Sequence, residues 1–345
     1  MPNEIDSAGS PQPPQTDGDA LLERVLPWLR SWLLDTGLAL SPAEADNHRW
    51  GGATIGFAAK FLAPADPARE QSIFAAAALA ALWDDLFEDP QLRDPEAVTA
   101  LRRGLVATLR QDPEAPWRPG AIPTAWASLW PRLREGRTTR WQERFLNNLE
   151  EWCEACEREA HHRINGYIPP TADYLPLRMS TGGFETFIAG MEVHQNRELP
   201  SKLRDHRVIR RLEELVFWVV FVENDMVGLD QDEADQVPYN LVRMIRHETG
   251  CTRDEAVEQV QRQVAEYRAK LDAVIRYLPI FFRVAPCLSG RWKKFESTYQ
   301  TMTKGGRAAT ESRRNTPTSA SAAPDLERLR REVYLPAAEP IPTAP

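Results

Sequence analysis

LVFWVVFVENDMVGLDQDEA, residues 215–234, is the stretch whose reading decides the fold. Leu215 to Val222 is wholly apolar, and Phe217 to Val222 in isolation reads as a strand. The stretch is embedded in a longer segment, 206–234, whose apolar residues recur at spacings of three and four rather than in alternation. That spacing predicts a buried helix. On such a helix Asn224, Gly228 and Asp232 step by four, drift only about 80° over two turns and share one face. An amide and acids thus close an apolar helix.

A second segment repeats the arrangement. Residues 68–89 are Ala-rich, Ile73 to Trp83 carries no charge, and the segment closes on Trp83-Asp84-Asp85-Leu86-Phe87-Glu88-Asp89. Asp84 and Glu88 lie on one helix face, with Asp85 about 100° away. Like charges four residues apart are mildly destabilising unless something neutralises them. The C-terminal end of a helix also disfavours negative charge. The residues alone leave two readings open: a solvated helix end before the Pro90 turn, or a hard-cation site. Mg²⁺ suits the second, because it binds through one or two carboxylates, keeps several waters and is completed by phosphate. Two such helices facing one another converge polar oxygens at one end of an apolar bundle.

The same periodicity covers most of the chain and predicts helices at 20–36, 68–89, 94–111, 123–136, 139–162, 171–190, 206–234, 237–249, 253–279 and 288–302. Asp94-Pro95, Thr171 and Thr252 supply start signals. The fold class is therefore all-α, a single α-helical bundle with a central apolar pocket. Ten of the 28 prolines lie in residues 1–19 and 317–345. These stretches, rich in Ser, Thr, Ala and Gly, read as disordered tails. The expected organisation is an N-terminal tail at 1–19, a helical domain at 20–303, and a flexible C-terminal tail at 304–345 that doubles as a partial lid. Within that tail, Asp325 to Tyr334 has helical spacing and is expected to fold back as a cap.

Composition narrows the function. The 345 residues carry 42 basic and 50 acidic side chains, a net charge of −8. An acidic chain lacks the basic footprint of a nucleic-acid binder. The longest uncharged apolar run, Ser72 to Trp83, is far short of the roughly 20 residues a membrane-spanning helix needs. The N-terminus has neither the basic start nor the apolar stretch of a signal peptide. Four cysteines do not make a disulfide scaffold, so a cytoplasmic setting is expected.

Asp84-Asp85-Leu86-Phe87-Glu88 resembles the DDxx(D/E) motif of class I terpene synthases. Asn224-Asp225-Met226-Val227-Gly228-Leu229-Asp230-Gln231-Asp232 resembles their second metal motif, NDxx(S/T/G)xxxE, and order and separation match the microbial-type terpene cyclases. Arg178 falls where that family has its diphosphate-sensing arginine. Tyr174, Arg178, Thr181 and Gly182 in YLPLRMSTGG resemble its sensor–linker–effector segment at a helix break. Trp292 and Tyr299 in WKKFESTY match the spacing of its C-terminal Trp…Arg-Tyr signature. The resemblance runs from about Trp50 to Tyr299.

It implies an all-α domain in which three Mg²⁺ ions, held by Asp84, Asp85, Glu88, Asn224, Gly228 and Asp232, and basic residues grip a prenyl diphosphate. Arg178, Thr181, Gly182 and Tyr299 are then the catalytic segment. The implied reaction ionises the C–O bond of a prenyl diphosphate, with farnesyl diphosphate the expected substrate, releases diphosphate and cyclises the carbocation to a sesquiterpene hydrocarbon or alcohol. Metal ions and closure suit that chemistry, by stabilising the leaving charge and excluding water. Aromatic faces stabilise a cation without attacking it; Trp83, Phe184, Phe217, Phe221 and Trp292, with Arg178 at the mouth, are the expected substrate-binding residues.

Four positions depart from the pattern. Gly228 brings no side-chain oxygen, Asp232 is one methylene shorter than Glu, and Gln231 and Thr298 stand where cations are expected. They motivate an alternative, a degenerate cyclase that binds isoprenoid diphosphates without turnover. A related prenyl transferase is a further alternative, although it would show two DDxxD motifs. Protonation-initiated chemistry lacks its DxDD stretch. Cys153-x-x-Cys156, followed by His161 and His162, has no second ligand pair and reads as helix packing rather than zinc. Oligomeric state is open, a homodimer included.

Overall fold

A computed structural model describes residues 17–46, 65–110, 120–284 and 325–333. All regular structure among them is helical, as the periodicity predicts. In chain order the helices are α1 (Asp17–Asp35), α2 (Pro42–Ala45), α3 (Pro67–Glu88), α4 (Pro95–Arg110), α5 (Ala121–Arg134), α6 (Thr139–Ile164), α7 (Tyr174–Thr181), α8 (Phe184–His194), α9 (Ser201–Arg204), α10 (Arg207–Ala234), α11 (Leu241–Thr249), α12 (Arg253–Val284) and α13 (Leu326–Val333). The segment 288–302 expected to be helical lies outside the described residues.

Local chemistry fixes the ends of the helices that matter. Asp66 caps α3 by accepting from Ala68 N–H, with Pro67 at the first helical position, where a missing N–H costs nothing. Thr138 caps α6 through Trp141 N–H. Asn240 caps α11 through the N–H groups of Val242 and Arg243, which moves its start to 241 from the expected 237. The expected 171–190 helix divides. A 3₁₀ turn at Thr171–Asp173 leads into α7, and Gly183, at φ +64°, starts α8. A residue with a Cβ pays heavily in that left-handed conformation.

Packing places the two acidic helices on opposite sides of a connector. Helix α3 packs on α1, α5, α6 and α8, whereas α10 packs on α7, α11 and α12. Helices α6, α7 and α8 touch one another and join the two halves. The α3 side has a core rich in tryptophan, in which Trp83 stacks on Trp152 at 6.2 Å and tilts against Trp126 at 6.2 Å. The α10 side buries Phe184, Phe217 and Phe221 with α12, and Tyr174, Trp218 and Val222 with α11.

The C-terminal piece expected to cap the domain forms α13. It docks on α3, α4 and α5 and buries Leu329 and Val333. Its polar side chains satisfy three helix ends. Arg328 donates to the carbonyls of Gly37 and Leu38 beyond α1, Arg330 pairs with Asp89 at the end of α3, and Glu332 accepts Ala121 N–H at 2.7 Å at the start of α5. Gly120 offers α5 no side-chain cap, so Glu332 supplies it from 211 residues away.

Candidate active site

The site is the seam where the C-terminal ends of α3 and α10 meet α6 and α7. Asp84, Phe87 and Glu88 of α3, and Cys156, Glu159, Ala160 and Arg163 of α6, line a narrow cleft that opens to solvent; Val237 and Pro238 complete it. Helix register explains the grouping. Asp84 and Glu88 are one turn apart on α3, and Cys156, Glu159, Ala160 and Arg163 share one stripe of α6.

These carboxyls are held in low-dielectric surroundings. Burial, then Glu159 and Asp85, push Asp84 up to about 7, against the pull of Arg178 and of the Cys156 thiol. Burial, Asp84 and Asp85 push Glu88 well above the usual carboxylate range. Burial raises Glu159 to about 8; Arg178 opposes this, and Glu88, Asp225 and Asp232 add to it. Burial and the neighbouring Asp84 also keep the Cys156 thiol protonated. It points at Asp84 Oδ1 from 3.9 Å. Such crowding is destabilising unless a cation enters.

Across the seam, Asp225 is the organising acid of α10. It is 1% exposed and receives Arg178 Nη2 at 3.0 Å, Tyr174 O–H at 2.8 Å and Leu241 N–H at 2.9 Å. Burial raises its carboxyl to about 6 against the opposing Arg178 and Leu241 N–H. Asn240 donates to Asp225 O at 2.8 Å and to Asp232 Oδ2 at 2.7 Å, linking the two acids of the motif. Arg178 Nη1 reaches Thr181 Oγ1 at 3.4 Å, and its guanidinium lies 5.5 Å from the Phe221 ring centroid, within cation–π range. Its Nε is buried without a partner, as is Glu159 Oε1. One orphan donor and one orphan acceptor are therefore held at the same seam.

The sequence-predicted residues fall into four groups. Asp84, Glu88, Asp232 and Arg178 are brought close enough to act on one another's charge; Asp85 also acts on Asp84. Gly228 faces Asp232: a Cβ there would stand 3.4 Å from Asp232 Oδ1. Asn224 lies on α10 one turn before Gly228. Thr181 and Gly182 form the helix break. A Cβ on Gly182 would come within 2.8 Å of Arg178 O and closer still to the Phe221 ring edge. The Thr181 carbonyl accepts Trp152 Nε1–H at 2.6 Å.

Among the aromatics, Phe217 meets Phe184 edge-on at 4.6 Å between centroids and Phe221 at a tilt at 5.4 Å. Trp83 is 1% exposed and turned into the tryptophan core, outside the lining of the cleft. Trp292, Thr298 and Tyr299 lie outside the described residues. Gln231 donates to Asp235 at 2.6 Å.

Sequence reading missed Glu159 and Asn240. Glu159 has no motif around it; its one signal is an acid on the face of α6 that also carries the buried Cys156 and Ala160.

The donor set fits a hard divalent cation. It is made of carboxylate and amide oxygens with no convergent imidazole or thiolate, the set that Mg²⁺ prefers. Among the described residues no three acidic, His or Cys side chains converge on one point, so water and phosphate oxygens must complete the coordination.

A family description, terpene synthase family 2, C-terminal metal binding, matches residues 76–270. The chain belongs to the terpene synthase family. The matched span includes the acidic ends of both motif helices and the α7–α8 break. A pentalenene synthase from Streptomyces exfoliatus is 28% identical over 243 residues, 70% of each chain. A 7-epi-alpha-eudesmol synthase, described as (2E,6E)-farnesyl diphosphate cyclizing, from Streptomyces viridochromogenes is 26% identical over 211 residues, 60% of this chain and 59% of that one. In fold, the linalool/nerolidol synthase of Streptomyces clavuligerus superposes with a TM-score of 0.72 at 19% identity, over 84% of this chain and 96% of that one. This terpene synthase is thus a lyase of the class acting on prenyl diphosphates. No helix among its described residues is long and apolar enough to cross a membrane.

Proposed function

We propose that the chain is a Mg²⁺-dependent sesquiterpene cyclase that ionises farnesyl diphosphate and cyclises the resulting cation. The observation carrying this reading is the seam itself: half-buried Asp84, Glu88 and Asp232 and buried Asp225, from two apolar helices, surround one arginine whose Nε lacks a partner. A diphosphate oxygen suits that donor, and divalent cations suit the acids. The fifteen-carbon substrate is favoured by the eudesmol synthase relative, described as farnesyl diphosphate cyclizing.

In this reading Asp84, with Asp85 and Glu88, would hold metal on the α3 side, and Asn224 and Asp232 on the α10 side. At Gly228 a water would replace the missing side-chain oxygen. Three ions are the expected complement. When bound, Mg²⁺ neutralises charge developing on the departing diphosphate.

The protein's own residues do the rest. Arg178 gives Nε–H to a diphosphate oxygen while Asp225 and Thr181 hold its plane. The C–O bond breaks, its electron pair leaves with diphosphate, and an allylic cation remains. Phe184, Phe217 and Phe221 face that cation, and their apolar surroundings keep water away until ring closure. A proton is then lost, or water adds, to give a hydrocarbon or an alcohol. Tyr299 and Trp292 are assigned to the same site from the sequence pattern alone. A cytoplasmic setting fits the free, buried Cys153 and Cys156, and a homodimer is the assembly to test by light scattering.

Incubation with geranyl, farnesyl and geranylgeranyl diphosphates, with Mg²⁺ or chelator, tests the proposal. Metal-dependent fifteen-carbon volatiles are expected. Longer diphosphates as sole products would instead identify a prenyl transferase. Tight diphosphate binding without turnover would identify a degenerate cyclase.

A further inference from the structure

Glu159 has no place in either metal motif, yet it is the acid that closes the cleft from the α6 side. It is 7% exposed, and its Oε1 is buried with no hydrogen-bond partner. It lines the cleft together with Asp84 and Glu88. Its electrostatic neighbours are mostly of its own sign: Glu88, Asp225 and Asp232 oppose its charge, while Arg178 and, one turn on along α6, Arg163 favour it. Arg178 directs Nη2 to Asp225 and Nη1 to Thr181, and its Nε is an orphan as well.

A structural carboxylate is normally paired where it is buried. Glu159 Oε1 is not, and Asp84 feels Glu159 as its strongest like-charged neighbour. A buried acceptor crowded by acids has a use when a cation arrives between them. The two motif carboxylates on α3 cannot surround an ion by themselves, since both project from one helix face. Glu159 approaches the same space from another helix.

We propose that Glu159 is a further binding residue of the divalent-cation and diphosphate site, its unpaired Oε1 receiving the coordination shell of a metal ion held on its other side by Asp84 and Glu88. This rests on the function proposed above. It predicts an unusual pair of signs. In the metal-free protein Glu159 is a liability, so its neutral isostere leaves the fold as stable or more stable. In the loaded protein it accepts from the ion's bound water, so the same change weakens metal binding.

The test uses the full chain, Mn²⁺ as a paramagnetic probe and inorganic diphosphate. Free Mn²⁺ is measured by electron paramagnetic resonance for wild type, Glu159→Gln and Asp84→Asn, and melting is followed in chelator. The expected result is an apparent Kd for Mn²⁺ at least tenfold weaker in Glu159→Gln, with a metal-free melting temperature equal to or above that of wild type. Asp84→Asn should weaken Mn²⁺ binding at least as much. A Glu159→Gln affinity within twofold of wild type, beside a weakened Asp84→Asn, overturns this inference alone. Unchanged affinity in both overturns the site reading too. A Glu159→Gln protein that melts lower in chelator, or fails to fold, also overturns the inference, because the carboxylate then holds the fold rather than a cation.

Discussion

Gly104→Ala sets two effects of opposite sign against each other. Gly104 lies inside α4, where alanine is favoured over glycine by about 0.8–1 kcal/mol. Helix propensity alone therefore predicts a more stable protein. But a Cβ at Gly104 would come within 2.8 Å of both the carbonyl carbon and Cγ1 of Val333, and closer to the Val333 oxygen. Two of those atoms are backbone, which cannot rotate away. Overpacking of this kind costs about 1–3 kcal/mol, and the rigid obstacle places it at the upper end. The net expectation is a loss of about 2 kcal/mol. For a protein of this size that is a fall in melting temperature of roughly 3 °C. Leu329→Asp with Val333→Asp should release α13, because each buries a charge in the core. In that background the obstacle is gone, and Gly104→Ala should stabilise by about 1 kcal/mol. Calorimetry of the four proteins gives the cycle. Gly104→Ala melting at or above wild type in the native background, or the same sign in both, would refute the close docking of α13.

Three further outcomes follow from the site. Asp84→Ala and Asn224→Ala should each lose most product formation while circular dichroism stays native; full activity in both would sink the assignment. Asp225→Ala strands Arg178 and Tyr174 in buried surroundings, and should cost about 3 kcal/mol by denaturant unfolding; a loss under 1 kcal/mol would mean the network is slack. For pH, the folded carboxyls of Asp84 and Glu159 are raised to about 7 and about 8, above their unfolded values. The folded protein then holds protons that the unfolded chain has released. Their contribution to stability is fully present below about pH 4 and lost as pH rises to about 8. Melting in chelator should thus fall between pH 6 and 8.5, and Asp84→Asn should flatten that slope. A rise over the same range would contradict the buried placement of these acids.

Local spacing along the chain fixes the helical class, the position of most helices and the pairing of carboxylates along each motif helix. Those depend on local spacing: Asp84 and Glu88 share a face wherever residues 67–88 are helical, and the same holds for Asn224, Gly228 and Asp232. The division at Gly182-Gly183 is not legible that way: spacing predicts one helix over 171–190, and the break is expected only from the family resemblance. Tertiary structure decided what local spacing cannot carry. Trp83, next in sequence to the acids, turns into the tryptophan core because its register faces α5 and α6. Glu159 and Asn240 join the site only because α6 and the α10–α11 corner are folded against the motif helices, and no motif marks them. Asp225, Tyr174 and Arg178 become one network through side-chain contacts across 47 and 51 residues. The helical spacing of 325–334 announced α13, but its docking site depended on a glycine in α4 that leaves room for its backbone. A helix writes its own face into the sequence at intervals of three and four; which face meets which is settled by packing between distant segments, and that leaves no period to read.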